Sequence, residues 1–152
     1  MDNLPIFLTI KDRKVVVDGG GTVAARRVER ALSAGAIVHA FDPEPEAELK
    51  VLVDRNDPNL HIYYRLPVEA DMHDAAVIWG ASEDMARDVK LRAWADAKKI
   101  LCNIADAPDL CDCITPSIVD RSPVVVAIST GGAAPVVART LRARLEAMVE
   151  PS

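Results

Sequence analysis

The run Lys14-Val15-Val16-Val17-Asp18-Gly19-Gly20-Gly21 constrains this chain more than any other segment. A short, mostly apolar stretch ending in glycines reads as a buried strand that stops at a sharp turn. The residues after it change period. From Thr22 to Ala34 the apolar residues Val23, Ala24, Val28, Ala31 and Leu32 recur at helical spacing. Arg26, Arg27, Glu29 and Arg30 fall largely on the other face of that helix, and Gly35 supplies its C-terminal stop.

The same alternation continues. Ile37 to Phe41 reads as a second strand, stopped by Asp42-Pro43, and Glu44 to Arg55 as a helix with Pro45 near its start. His61 to Arg65 is a weak strand and Ala75 to Trp79 a stronger one. A helix over Asp84 to Lys98 leads to a strand over Ile100 to Asn103. Strands alternating with helices predict an α/β fold, a Rossmann-type parallel sheet. The character changes after Asp106. Ser117 to Val119 and Val124 to Ile128 read as a hairpin or strand pair, and Pro135 opens an amphipathic helix to about Met148. The expected organisation is a dinucleotide-binding domain over 1–106, then over 107–152 the start of a small segment, a strand pair plus a helix. Nothing after that helix covers its apolar face, so a partner chain or a further segment is expected there.

Gly19-x-Gly21-x-x-Ala24, between a strand and a helix, carries a ligand prediction. The first glycine permits the turn, and the second lets backbone approach a pyrophosphate without a Cβ in the way. The small third residue lets helix and strand pack closely. The helix start, with Gly20, Thr22 and Val23 around it, offers free N–H groups and the positive end of a dipole. Asp42 follows Gly19 by 23 residues and ends the second strand. An acid there bonds ribose hydroxyls and repels an extra phosphate, which points to NAD over NADP. The alternative is that Asp42 only begins the turn with Pro43. Asp18 is less expected, because a carboxylate directed inward at this point would oppose a pyrophosphate.

Composition narrows the partners. Half the residues are hydrophobic and only 4% aromatic, so the core is aliphatic. A net charge of −5 disfavours binding to nucleic acid or to an anionic membrane. The sequence has neither a charged-then-apolar leader nor an apolar run of spanning length, and a cytoplasmic location is expected. Cys102, Cys111 and Cys113 form no even disulfide set. Cys111-x-Cys113 lacks a second half-site, so reduced, partly buried thiols are expected. His39, His61 and His73 show no ligand spacing, and no metal site is predicted.

With the loop placed, the chain resembles the precorrin-2 dehydrogenases, the NAD-dependent part of siroheme synthases. Leu4-Pro5-Ile6-Phe7-Leu8 is similar to that family's start, and so are the glycine loop with Val23-Ala24 and the pair Arg26-Arg27. Asn103-Ile104-Ala105-Asp106 resembles its Asn-Val-x-Asp segment. The longest likeness runs from Pro116-Ser117-Ile118-Val119-Asp120-Arg121-Ser122-Pro123 through Ala127-Ile128-Ser129-Thr130-Gly131-Gly132 to Pro135-Val136-Val137-Ala138-Arg139.

The resemblance implies NAD-dependent oxidation of precorrin-2 to sirohydrochlorin, with Fe²⁺ insertion into the ring (a ferrochelatase, or lyase, step) in some members. It implies Asp106 as the catalytic acid–base residue, against the alternative that Asp106 caps the turn before Pro108. It sets Ala81 and Ser82 near the cofactor, where the alternative is an ordinary strand-end turn. It sets Thr130 near the substrate cleft, where the alternative is a local backbone partner. The tetrapyrrole carries eight carboxylates, and Arg121 and Arg139 are the candidate cations, unless both are simply solvated. The family continues past this chain's last residue into a helical region and dimerises through the segments after the sheet, so a homodimer is expected, as a fragment or a short member. The reading from a different class is a non-catalytic NAD-binding module, or one piece of a larger multifunctional synthase. An unrelated dehydrogenase is disfavoured because no separate substrate domain follows.

Overall fold

The computed structural model describes residues 2–149. Contacts divide them into two compact units, Phe7–Cys113 and a second formed by residues 2–6 with 114–149.

The first unit is a five-stranded parallel sheet with helices on both faces. Its elements are β1 (Lys14–Asp18), α1 (Thr22–Ser33), β2 (Ile37–Phe41), α2 (Ala47–Asp54), β3 (Leu60–Tyr63), β4 (Ala75–Gly80), α3 (Met85–Lys98) and β5 (Leu101–Ile104). The strand order is β3-β2-β1-β4-β5. The order reverses beside β1, which leaves a crevice at the carboxyl ends of β1 and β4. The alternation of side chains along β1 sorts the core. Val15 and Val17 pack with Ala24, Val28, Val38, Leu49 and Leu52 on one face, and Val16 packs with Phe41, Met72, Ile78 and Leu91 on the other.

Most boundaries fall within a residue or two of the sequence reading, and the larger departures have local causes. α2 begins at Ala47 instead of Glu44, because Asp42 Oδ1 accepts the Glu44 N–H at 2.9 Å and holds those residues in a turn. Pro45 therefore precedes the helix. β3 ends at Tyr63, two residues early. A 3₁₀ turn over Glu69–Met72, which periodicity did not reveal, drives Met72 into the core. Elsewhere the caps follow chemistry. Asp84 accepts the N–H groups of Ala86 and Arg87 at the start of α3, and Gly35 takes φ +76° after α1.

The second unit holds β6 (Ser117–Arg121), β7 (Val124–Ile128) and α4 (Pro135–Met148). β6 and β7 pair antiparallel, Ser117 opposite Ile128 and Arg121 opposite Val124, as a tight hairpin. Val119 and Ala138 are buried where α4 meets β6. The α/β fold with its strand pair and closing helix is thus as the sequence predicts. Among the described residues no helix is long and apolar enough to cross a membrane.

Candidate dinucleotide site

The glycine loop is held by its own backbone. The Gly19 N–H donates to Phe41 O at 2.9 Å, and Gly20 O accepts the Glu46 N–H at 2.9 Å. Gly19 has φ +131°, and a Cβ on it would sit 2.2 Å from the Ala81 carbonyl oxygen. A Cβ on Gly20 would sit 2.7 Å from Asp42 Cγ. Gly21 is different, because its nearest neighbour is the Glu46 carboxylate at 3.5 Å, an ordinary contact. The protein itself needs Gly19 and Gly20; Gly21 is left for whatever approaches the loop.

Gly21 is the N-cap of α1, with no side-chain cap and no acid in the first turn. The first N–H answered there is that of Ala25, by Gly21 O at 3.0 Å, which leaves those of Thr22, Val23 and Ala24 free to meet an anion. The Thr22 hydroxyl donates to Glu48 at 3.1 Å.

Asp18 does not confront this loop. Its side chain is 1% exposed and pairs with Arg87 of α3, which also reaches Asp42 Oδ2 at 3.4 Å. Burial pushes the Asp18 carboxyl up from its ordinary range, and Arg87 opposes that shift. Asp42 is therefore engaged from two sides, by Arg87 and by the Glu44 amide.

Across the crevice, the turns that follow β4 and β5 each hold a left-handed residue, Glu83 at φ +58° and Asp106 at φ +58°. Both line a cleft of 230 Å³ with Val23, Ala81, Met85, Asp88, Ala105 and Ala107. That volume is below the roughly 300–1,000 Å³ of sites enclosing a drug-sized ligand. A ligand larger than the cleft is only partly enclosed by it. Asp106 is exposed, and its carboxylate bonds no other group among the described residues, so it does not cap the Pro108 turn. The Ser82 hydroxyl donates to Asp88 Oδ1 at 3.0 Å and accepts the Asp84 N–H at 3.2 Å, while Ala81 is buried and donates its N–H to Asp18 O.

The sequence reading gave three residues of this region no role in the site. Arg27 is one helical turn beyond Val23 and donates to Gly80 O, to Asn103 O at 2.9 Å and to Asn103 Oδ1 at 2.5 Å, clamping the ends of β4 and β5. Its spacing from Val23, i to i+4, was the available signal. Arg87 escaped because its partners lie far from it along the chain, although a carboxylate ending an apolar strand announces that a cation is needed somewhere. Glu46 was taken for a helix residue, and nothing local marks its approach to Gly21.

In the second unit, Thr130 Oγ1 accepts the Ala134 N–H at 3.2 Å, the local bond weighed above. Arg121 contacts Glu146 at 3.7 Å, and Arg139 is exposed. The three cysteines are free thiols. Cys111 and Asp112 lie along β5, where Cys111 Sγ accepts the Ile104 N–H at 3.2 Å and Asp112 Oδ2 that of Cys102 at 3.0 Å, and burial pushes the Cys102 thiol up to about 12. His39 stacks on Tyr63 beside His61, and burial draws it down to about 4.

The profile of a family described as putative NAD(P)-binding matches residues 6–117. The chain belongs to this family. A second profile, that of the sirohaem biosynthesis protein central region, matches residues 121–148. The siroheme synthase of Nitrosospira multiformis is 46% identical over 151 residues, covering 98% of this chain and 32% of that protein. That of Nitrosococcus oceani is 41% identical over 149 residues, 98% of this chain and 31% of that protein. The solved structure of SirC, a precorrin-2 dehydrogenase, is similar with a TM-score of 0.78 at 26% identity, covering 98% of this chain and 72% of that one. The chain spans about a third of the length of the curated relatives it matches.

The family's ligand suits the loop. A Cβ on Gly21 would meet no atom closer than 3.5 Å, the start of α1 is uncapped, and Asp42 stands beside Gly20. Glu46 and Glu48 flank the same loop, Glu46 beside Gly21 and Glu48 on the Thr22 hydroxyl, and add negative charge there.

Proposed function

We propose that this chain is the NAD⁺-binding, catalytic part of a precorrin-2 dehydrogenase, oxidising precorrin-2 to sirohydrochlorin in siroheme biosynthesis. The observation that carries the reading is the shared cleft. Val23, at the start of the glycine-loop helix, and Asp106, the unengaged carboxylate after β5, line one cavity. The likeness to siroheme synthases and to SirC supports the choice of substrate.

In this reading the backbone N–H groups of Thr22, Val23 and Ala24 receive the pyrophosphate, and Gly19, Gly20 and Gly21 form the turn that lets it approach. Asp42 accepts the ribose hydroxyls, and Ala81 and Ser82 border the second ribose. NAD⁺, when bound, supplies the hydride acceptor. The Asp106 carboxylate accepts the proton that leaves the tetrapyrrole, so the products are sirohydrochlorin, NADH and H⁺. Its left-handed backbone turns the side chain out of the strand line, a conformation aspartate adopts more readily than most residues. Arg121, Arg139 and Thr130 serve the substrate's carboxylates. Fe²⁺ is a second substrate in this reading, inserted into sirohydrochlorin with Asp106 again taking protons. The protein acts in the cytoplasm.

The functional unit is a homodimer, because α4 leaves Val136, Val137, Leu141 and Met148 exposed on one short helix. Light scattering after size-exclusion chromatography is expected to give twice the chain mass, and a monomer across working concentrations contradicts the dimer. A second reading, an NAD⁺-binding module of a larger synthase, draws on the third of the relatives' length that the chain spans. Titration calorimetry tests what the two readings share. Saturable NAD⁺ binding at one site per chain is expected, and no binding heat at any concentration contradicts both.

A further inference from the structure

Asp42, the acid placed to meet the ribose, is not the carboxylate nearest to the cation beside it. Arg87 enters from the first turn of α3 and stands between two acids, the ends of β1 and β2. A guanidinium beside the acid after the second strand is the part that a 2′-phosphate site requires. This chain holds the parts for either dinucleotide, and what separates them is where the charge of Arg87 goes.

We propose that Asp18 is the specificity-determining residue of this site, holding Arg87 in a buried ion pair and thereby withholding it from the 2′-phosphate of NADP⁺. The inference rests on the cofactor reading above.

The argument is one of burial and partners. Asp18 is 1% exposed, and its Oδ2 has no hydrogen-bond partner among the described residues. Arg87 is the cation that pairs with it, through Oδ1. The Arg87 side chain is 19% exposed and that of Asp42 13%, so the arrangement lies largely away from water. Moving the guanidinium towards a ligand phosphate would leave a carboxylate charged and unpaired in the sheet, which is strongly unfavourable. Arg87 therefore stays with Asp18, and its longer contact with Asp42 leaves that acid able to repel a second phosphate. Glu46 and Glu48, close to Gly21 and Thr22, act in the same direction. A buried charge at the end of β1 thus sets a preference read at the end of β2, without touching the cofactor.

The test compares dissociation constants for NAD⁺ and NADP⁺ by titration calorimetry, on the wild type, Asp18→Asn, and Asp18→Asn with Arg87→Leu. Wild type is expected to prefer NAD⁺. Asp18→Asn frees the guanidinium, so the NAD⁺ preference should fall by about ten- to a hundredfold, mainly through tighter NADP⁺ binding. Adding Arg87→Leu should restore the preference. Asp18→Val, which suits an apolar strand, gives the same reading if the amide variant does not fold. An unchanged ratio in folded Asp18 variants, with NAD⁺ still bound, overturns this inference alone. Failure of the wild type to bind either dinucleotide overturns the cofactor reading and this inference with it. Loss of affinity for both in equal measure shows a merely structural role and overturns the inference too.

Discussion

Replacing Asp106 with alanine is expected to slow NAD⁺-dependent oxidation of precorrin-2 by about 10²- to 10⁴-fold, the usual contribution of a positioned proton acceptor. Affinity for NAD⁺ should change little, because the pyrophosphate and ribose contacts assigned to the glycine loop and Asp42 do not use the Asp106 carboxylate. Asp106→Asn separates charge from conformation. Asparagine tolerates the left-handed backbone at φ +58°, so the fold around the cleft is kept while the proton acceptor is lost. Both variants should therefore be equally slow. An asparagine variant close to wild type in rate would mean that the position matters for its backbone, and the role proposed for its carboxylate would fall.

The second large effect is on stability. Gly19→Ala places a methyl 2.2 Å from the Ala81 carbonyl oxygen, on a backbone at φ +131°. Neither β1 nor β4 can give way, since the two are paired in register up to Asp18 and Gly80. A loss of about 3–5 kcal/mol is expected in urea unfolding, with NAD⁺ binding abolished. Gly21→Ala makes the informative contrast. Its φ is −86° and its new methyl meets only the Glu46 carboxylate at 3.5 Å, so stability should fall by less than about 1 kcal/mol. NAD⁺ affinity should nevertheless drop by at least about tenfold, because the Cβ occupies the approach to the pyrophosphate. Equal destabilisation by the two substitutions would show that the open side of Gly21 is no ligand surface.

The parts of this protein that were legible in its sequence are those governed by near neighbours. The Val15–Val17 run, the helical period from Val23 to Leu32 and the hairpin around Ser122-Pro123 each follow from local pattern, and the parallel sheet follows from their order. The glycine loop was legible for the same reason. What periodicity misplaced was decided by side chains acting on backbone, as where Asp42 holds Glu44 in a turn and delays α2. What the sequence hid was decided by tertiary pairing. Asp18 read as an obstacle to phosphate; across 69 residues it meets Arg87, and its charge turns away from the loop. Arg27 read as part of the polar face of α1 and of a basic pair shared with the family, and it is the clamp between β4 and β5. Thr130 showed the limit in the other direction, since the bond it makes is the local one that a hydroxyl before a helix ordinarily makes.

The most direct test of the account is the stoichiometry of the proposed reaction in the longest native protein that contains this chain. Precorrin-2 is supplied under anaerobic conditions with NAD⁺, and NADH and sirohydrochlorin are followed together by absorbance. The account predicts that the two appear in equal amounts, that neither appears without NAD⁺, and that both are lost in Asp106→Ala. Saturable NAD⁺ binding with no formation of NADH would contradict it, and the chain would then be a dinucleotide-binding module without catalysis of its own.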